Sequence, residues 1–182
     1  MNTKIYLLAG KARSGKDTVG QMIKEYYESQ NKKVIKIGFS DYIKHYAMNI
    51  SNWDGSEENK PRELLQKLGT DIIRSNIDDD FFINRTCQDI LVYKSFFDVI
   101  IISDVRFPKE IDITKERFNN VYSIEVLRPN YTNELSEGEK QHITETALDN
   151  YDKYDYIISN DKDLDNLKQK IIKLIEEVEK WT

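Results

Sequence analysis

The stretch Gly10-Lys11-Ala12-Arg13-Ser14-Gly15-Lys16-Asp17-Thr18 constrains the fold of this chain more than any other part of it. It follows a short apolar run at 4–9 (KIYLLA) and leads at once into a segment with Val19, Met22, Ile23 and Tyr26 at helical spacing. A G-x-x-x-x-G-K spacing between a buried strand and an amphipathic helix is that of a phosphate-binding loop. The glycines let backbone amides curl around phosphate oxygens, the helix N-terminus adds partial positive charge, and Lys16 reaches the β- and γ-phosphates. One position departs from the general motif: Asp17 stands where Ser or Thr usually offers magnesium a hydroxyl. A carboxylate there suits both a metal ion and the first turn of a helix, and Thr18 is the nearest hydroxyl.

Beyond the loop, apolar runs alternate with amphipathic segments, the pattern of a parallel sheet covered on both faces. Strands are expected at 4–9, 33–39, 98–103, 121–126 and 154–159, each β-branched or aromatic and almost continuously apolar. The last helix carries Leu164, Leu167, Ile171, Leu174, Ile175 and Val178 as one stripe. With 182 residues, 39% of them apolar, the chain suffices for a single α/β domain spanning residues 1–182 in three layers. Residues 40–97 exceed what one crossover needs and hold helices expected at 41–50, 61–76 and 80–96, so substrate choice is expected to lie there. Asn59-Lys60-Pro61 reads as a helix start, Asp80 as the cap of the next helix, and the polar stretch 128–142 as a lid.

Composition removes several function classes. The 32 acidic residues outnumber 27 basic ones, giving a net charge of -5, so a nucleic-acid polymer is not an expected partner. No apolar run approaches the ~18 residues of a membrane span, and no membrane partner is expected. Cys87, the only cysteine, can close no intrachain disulfide and reads as a small buried hydrophobe. A soluble protein of a reducing cytoplasm is the expectation.

Two further constellations carry chemistry. Asp104-Val105-Arg106 ends the third strand, where open α/β sheets bind ligands, and Asp104 suits holding magnesium. On the 61–76 helix, Arg62, Gln66, Thr70 and Arg74 recur every four residues, while Leu64, Leu65, Leu68, Ile72 and Ile73 cover another face. A stripe of guanidinium and amide groups can bind a phosphate and a base edge. Gly69 inside that helix points to close approach of a ligand or a neighbouring helix. The two histidines, His45 and His142, fit no catalytic or metal spacing and read as surface or hydrogen-bonded side chains. Phosphoryl transfer to an acceptor that is already anionic needs no general base, so this scarcity fits a kinase acting on a phosphate.

Taken together, GKARSGKDT, FSDYIK, LLQKLGTDIIR, DDDFFINR, SDVRFPKEID, HITE and ISNDKDLDNL resemble the deoxynucleoside monophosphate kinases of phages and bacteria over nearly the whole chain. That family also carries Asp after the loop lysine, and Phe82 here stands where it often has tryptophan. The resemblance implies a P-loop kinase fold with sheet order 2-3-1-4-5 and transfer of the γ-phosphate of ATP, with Mg2+, to a deoxynucleoside monophosphate. By position, it implies that Gly10 and Lys11 through Thr18 (Lys11, Ala12, Arg13, Ser14, Gly15, Lys16, Asp17, Thr18) hold the ATP phosphates. Lys44, Gln66, Arg74 and Arg106 would face the acceptor nucleotide, and Arg128 would start the lid. Lys16, Arg13, Arg106 and Arg128 would neutralise the transferring group, and Asp17 and Asp104 would hold the metal. Because the phosphomevalonate kinases of animals share the GKD loop and a D-x-R segment, another small phosphorylated acceptor is the second reading. A nucleotide-binding switch without transfer is the third. The sequence leaves base, sugar and oligomeric state open, a homodimer included.

Overall fold

A computed structural model describes residues 2–129 and 141–180. Strand β1 (Lys4–Ala9) lies at the centre of a five-stranded parallel sheet of order β2-β3-β1-β4-β5, with β2 Val34–Ile37, β3 Val99–Val105, β4 Val121–Leu127 and β5 Tyr156–Ser159. This is the order implied by the resemblance. Because side chains alternate along a strand, Tyr6 and Leu8 enter one core while Ile5, Leu7 and Ala9 enter the other. Ile101 and Ile124 join the first core, and Ile100 and Ile102 the second. Each such side chain stabilises by roughly 1.5–3 kcal/mol on full burial, so the Ile-rich strand sequences are what make this sheet central.

Helices α1 (Lys16–Ser29) and α7 (Leu164–Lys180) cover the first face with Val19, Ile23, Tyr27, Leu167, Ile171, Ile175 and Val178. Leu164, expected on that stripe, is instead 64% exposed at the first position of its helix. Between the two helices the Tyr6 and Tyr27 hydroxyls lie 2.7 Å apart, and Tyr27 donates to Glu179 Oε1, which also pairs with Lys4. Helices α4 (Phe81–Tyr93) and α5 (Pro108–Arg117) cover the opposite face, and Cys87 is buried there.

The insertion departs from expectation in one respect. A short α3 (Arg62–Gln66) runs straight into a π-helical segment, Lys67–Arg74, where a regular α-helix over 61–76 was expected. The Ser75 hydroxyl and the Asn76 amide donate to the carbonyls of Thr70 and Asp71, five residues back, which suits the wider turn. Leu68 and Ile73 are buried, while Ile72 is exposed. Gly69 meets helix α2 (Asp41–Ile50): a Cβ there would stand 2.9 Å from Ile43 Cδ1. Asp80 does occupy the position before α4, but its carboxylate accepts from Lys109 rather than capping the helix.

At the sheet's carboxyl edge the β1–β3 register slips. Leu7 pairs with Ile102 but Ala9 with Val105, so β3 carries one extra residue in a bulge. The short helix α6 (Ile143–Thr146) returns the chain toward this edge. The lid-like segment expected at 128–142 falls mainly on 130–140, outside the described residues. Among the described residues no helix is long and apolar enough to cross a membrane.

Candidate active site

The loop after β1 wraps as its sequence requires. Gly10 (φ +142°) and Gly15 (φ +105°) hold backbone conformations that side chains rarely adopt, and a Cβ at Gly10 would stand 2.4 Å from the Val126 carbonyl oxygen. Arg13 takes φ +59° between them. The Ser14 carbonyl accepts from Asn160 Nδ2 at 3.0 Å, and the buried Ser14 hydroxyl has no partner among the described residues. An orphaned donor inside a ring of glycines is a ready contact for an anion's oxygen.

Lys16 is buried, and its ammonium donates to the carbonyls of Gly10 and Lys11, each at 2.8 Å. Burial, with the positive charge of Arg106 nearby, pulls it down to about 8, against the support of Glu145, Asp17 and Asp104. Asp17, in the first turn of α1, accepts from the Ser103 hydroxyl at 2.8 Å and is otherwise open to solvent; Lys36 stands 3.9 Å away. Thr18 is exposed. Asp104, next to Ser103 on the bulge, accepts from the amides of Phe39 and Ser40 at 3.0 and 2.9 Å and from the Ser40 hydroxyl. Its carboxylate thus fixes the turn between β2 and α2.

The loop forms one wall of a cavity of about 570 Å³, and Lys44, Gln66, Thr70, Arg74 and Arg106 line the others. All four side chains expected to face an acceptor therefore reach one space. Lys44 reaches Asp41 at 3.1 Å; burial works against its charge, but Asp104, Asp41 and Glu57 outweigh it and hold its pKa above the ordinary value. The π-segment explains how Gln66, Thr70 and Arg74 stay together. Steps of four overshoot a turn in an α-helix of 3.6 residues but fall short in a π-helix, so the stripe's drift reverses.

Arg74 is held more firmly than a ligand-binding arginine need be. Its guanidinium lies 2.8 Å from Glu110 Oε1, over the Phe107 ring at 4.2 Å and near the Phe82 ring at 5.5 Å. Glu110 is buried and also accepts from the amides of Arg106 and Phe107 at 2.7 and 3.1 Å. Burial pushes its carboxyl up to about 7, with Arg74 and the two amides pulling the other way.

A second cavity, of about 430 Å³, lies against the loop at Gly10 and Lys11 and is lined by Leu127, Arg128 and Tyr154. Arg128 donates to the Arg13 carbonyl at 3.2 Å. Arg106 and Glu145 line both cavities. Glu145 Oε1 accepts from Arg106 at 2.6 Å, and Glu145 Oε2 accepts from the Ala12 amide at 3.0 Å. Lys11 bonds the Glu145 carbonyl and the Asp149 carboxylate. Sequence reasoning assigned no role to Glu110 or Glu145. Both sit in the quoted segments SDVRFPKEID and HITE, but their arginine partners are 36 and 39 residues away, beyond any local pattern. His45 contacts Asn49, and His142 accepts from the Thr144 amide, the hydrogen-bonded settings expected.

Comparison with known proteins adds family and fold. The family described as "Deoxynucleotide monophosphate kinase" matches over residues 24–171. The chain is 29% identical over 125 residues to a protein of Acanthamoeba polyphaga mimivirus named "Putative deoxynucleotide monophosphate kinase", covering 64% of this chain and 61% of that protein. It is 34% identical over 111 residues to the deoxynucleotide monophosphate kinase of Enterobacteria phage T4, covering 60% of this chain and 43% of the phage protein. The matched stretch thus spans less than two thirds of either relative. Among solved structures, the Mycobacterium tuberculosis APS kinase in complex with AMPPNP and APS superposes with a TM-score of 0.58 at 13% identity, covering 96% of this chain and 98% of that one. At that identity the likeness concerns the fold.

Proposed function

Because the chain belongs to the deoxynucleotide monophosphate kinase family, we propose that it transfers the γ-phosphoryl group of ATP to the phosphate of a deoxynucleoside monophosphate, giving ADP and a deoxynucleoside diphosphate. The observation that carries this reading is the convergence of the phosphate loop with Lys44, Gln66 and Arg106 on one cavity. A donor polyphosphate on the loop and an acceptor phosphate on Arg106 would meet there. The acceptor oxygen is already anionic, so no base is required, and no histidine is among the described residues lining the cavity.

Catalysis on this reading is positioning and charge neutralisation. Lys16 would leave the Gly10 and Lys11 carbonyls for the β- and γ-phosphates, and the Ser14 hydroxyl would gain its missing partner. Arg13, Arg106 and Arg128 would contact the transferring group's outer oxygens. Arg74, committed to Glu110, would act as a positioning residue that fixes the π-segment beside the acceptor, leaving direct phosphate contact to Arg106 and Lys44. Residues 40–97 would form the acceptor-binding insertion.

The donor set fits magnesium. Asp17 offers an exposed carboxylate beside the Ser103 hydroxyl, with Asp104 on the same cavity wall, and among the described residues no group of three His, Cys, Asp or Glu cages a metal. Such sparse protein ligation is usual for magnesium on a nucleotide, where the ion neutralises phosphate charge. The cytoplasm, where ATP and deoxynucleotides occur together, is the setting we assign. A panel of nucleoside monophosphates with MgATP, read by ADP release, tests the proposal. We expect ADP only with a deoxynucleoside monophosphate; turnover confined to another phosphorylated acceptor, or hydrolysis indifferent to acceptor, would overturn it.

A further inference from the structure

Resting on that reading, we propose that Glu145 couples the donor and acceptor sites, so that each substrate tightens the binding of the other. Its carboxylate bridges the two sites: Oε2 takes the Ala12 amide of the phosphate loop, and Oε1 takes the Arg106 guanidinium. It stands on the shared wall of both cavities. An amide of a phosphate loop and an arginine beside it are groups that bind phosphoryl oxygens, and here one internal anion satisfies both.

A phosphate and this carboxylate cannot hold the same donors, and two anions in such proximity repel. A donor polyphosphate entering the loop therefore displaces Oε2 from Ala12. An acceptor phosphate reaching Arg106 displaces Oε1. Either event breaks the bridge, and the segment that carries Glu145 is otherwise tied to the loop by Lys11, whose side chain is half exposed. The first substrate bears the cost of expelling the carboxylate and the second finds its donors released. Thermodynamic linkage makes the effect reciprocal, with couplings of this kind commonly worth about 5- to 150-fold in affinity.

The test is calorimetric titration of magnesium AMPPNP, a non-hydrolysable ATP analogue, into the full chain with and without a saturating deoxynucleoside monophosphate. In the unaltered protein we expect the analogue's Kd to fall about tenfold when the monophosphate is present. Glu145→Gln removes the charge but keeps the shape. In that variant the analogue alone should bind about tenfold tighter than in the unaltered protein, and adding the monophosphate should change its Kd by less than about twofold. Glu145→Ala, with melting curves to show that it folds, should behave likewise. If the variants bind the analogue no tighter than the parent, or keep the parent's coupling, the proposal is wrong and Glu145 serves only to orient Arg106. If the parent binds neither analogue nor monophosphate, the kinase reading falls and takes this inference with it.

Discussion

Lys16 carries its charge under strain from its surroundings. Held down to about 8 against an ordinary value of 10.5, it is largely neutral in the free protein at pH 9. A polyphosphate restores the proton, so ATP binding at pH 9 should take up close to one proton, and affinity should fall by up to about tenfold per pH unit above 8. Calorimetry in buffers of different ionisation enthalpy reads this directly; Lys16→Arg, which cannot deprotonate, should bind without proton uptake. Lys16→Ala should lower kcat by ~100-fold or more, since the lost charge faces the transferring group most strongly in the transition state. Asp17→Ala should raise the magnesium concentration needed for half-maximal rate while leaving binding of metal-free ATP within about twofold. An unchanged magnesium titration would leave Asp17 as a helix-start residue with a hydrogen bond to Ser103.

Among the contacts that hold helix α3 and its π-segment to the rest of the molecule are Gly69 against Ile43 and Arg74 against Glu110. Gly69→Ala must push Ile43 aside, so it should raise the KM for the monophosphate several-fold and leave ATP binding unaltered, as steady-state kinetics would show. Arg74→Ala is more severe, because it strands Glu110 in the interior. Without the guanidinium, burial lifts the Glu110 carboxyl further, and the folded state then holds a proton that the unfolded chain has released above its ordinary value of 4.5. Stability should therefore fall as pH rises. We expect a loss of about 3–5 kcal/mol at pH 8, with much of it recovered near pH 5. Equal losses at both pH values in denaturant titrations would exclude this account. The helix itself is legible from the sequence, but its wide turns are not. A count of residues every four cannot distinguish a stripe that drifts one way from one whose drift reverses, and the deciding contacts come from Ser75 and Asn76 side chains. Glu110 escapes sequence reasoning for a different reason: an isolated glutamate gives no periodic signal, and it is the fold that surrounds it with donors.

Across the whole molecule, the sheet and its two cores are legible because buried parallel strands leave apolar runs and the flanking helices leave stripes. Strand ends are less so. The second strand stops at Ile37 rather than 39 because the next three amides leave the ladder for carboxylates, Gly38 donating to Asp41 and Phe39 and Ser40 to Asp104. The cores make a simple contrast testable: Ile175→Ala, fully buried on α7, should cost about 2–5 kcal/mol, whereas Ile157→Ala, 63% exposed on edge strand β5, should stay within about 0.5 kcal/mol in urea unfolding. The bulge in β3 has an evolutionary side. Consecutive side chains of a regular strand point to opposite faces, yet here Ser103 serves Asp17 and Asp104 serves the β2–α2 turn, both at one edge. Insertions and deletions in this strand would change the phase of those two side chains at once, so its length should be invariant among descendants of this sequence.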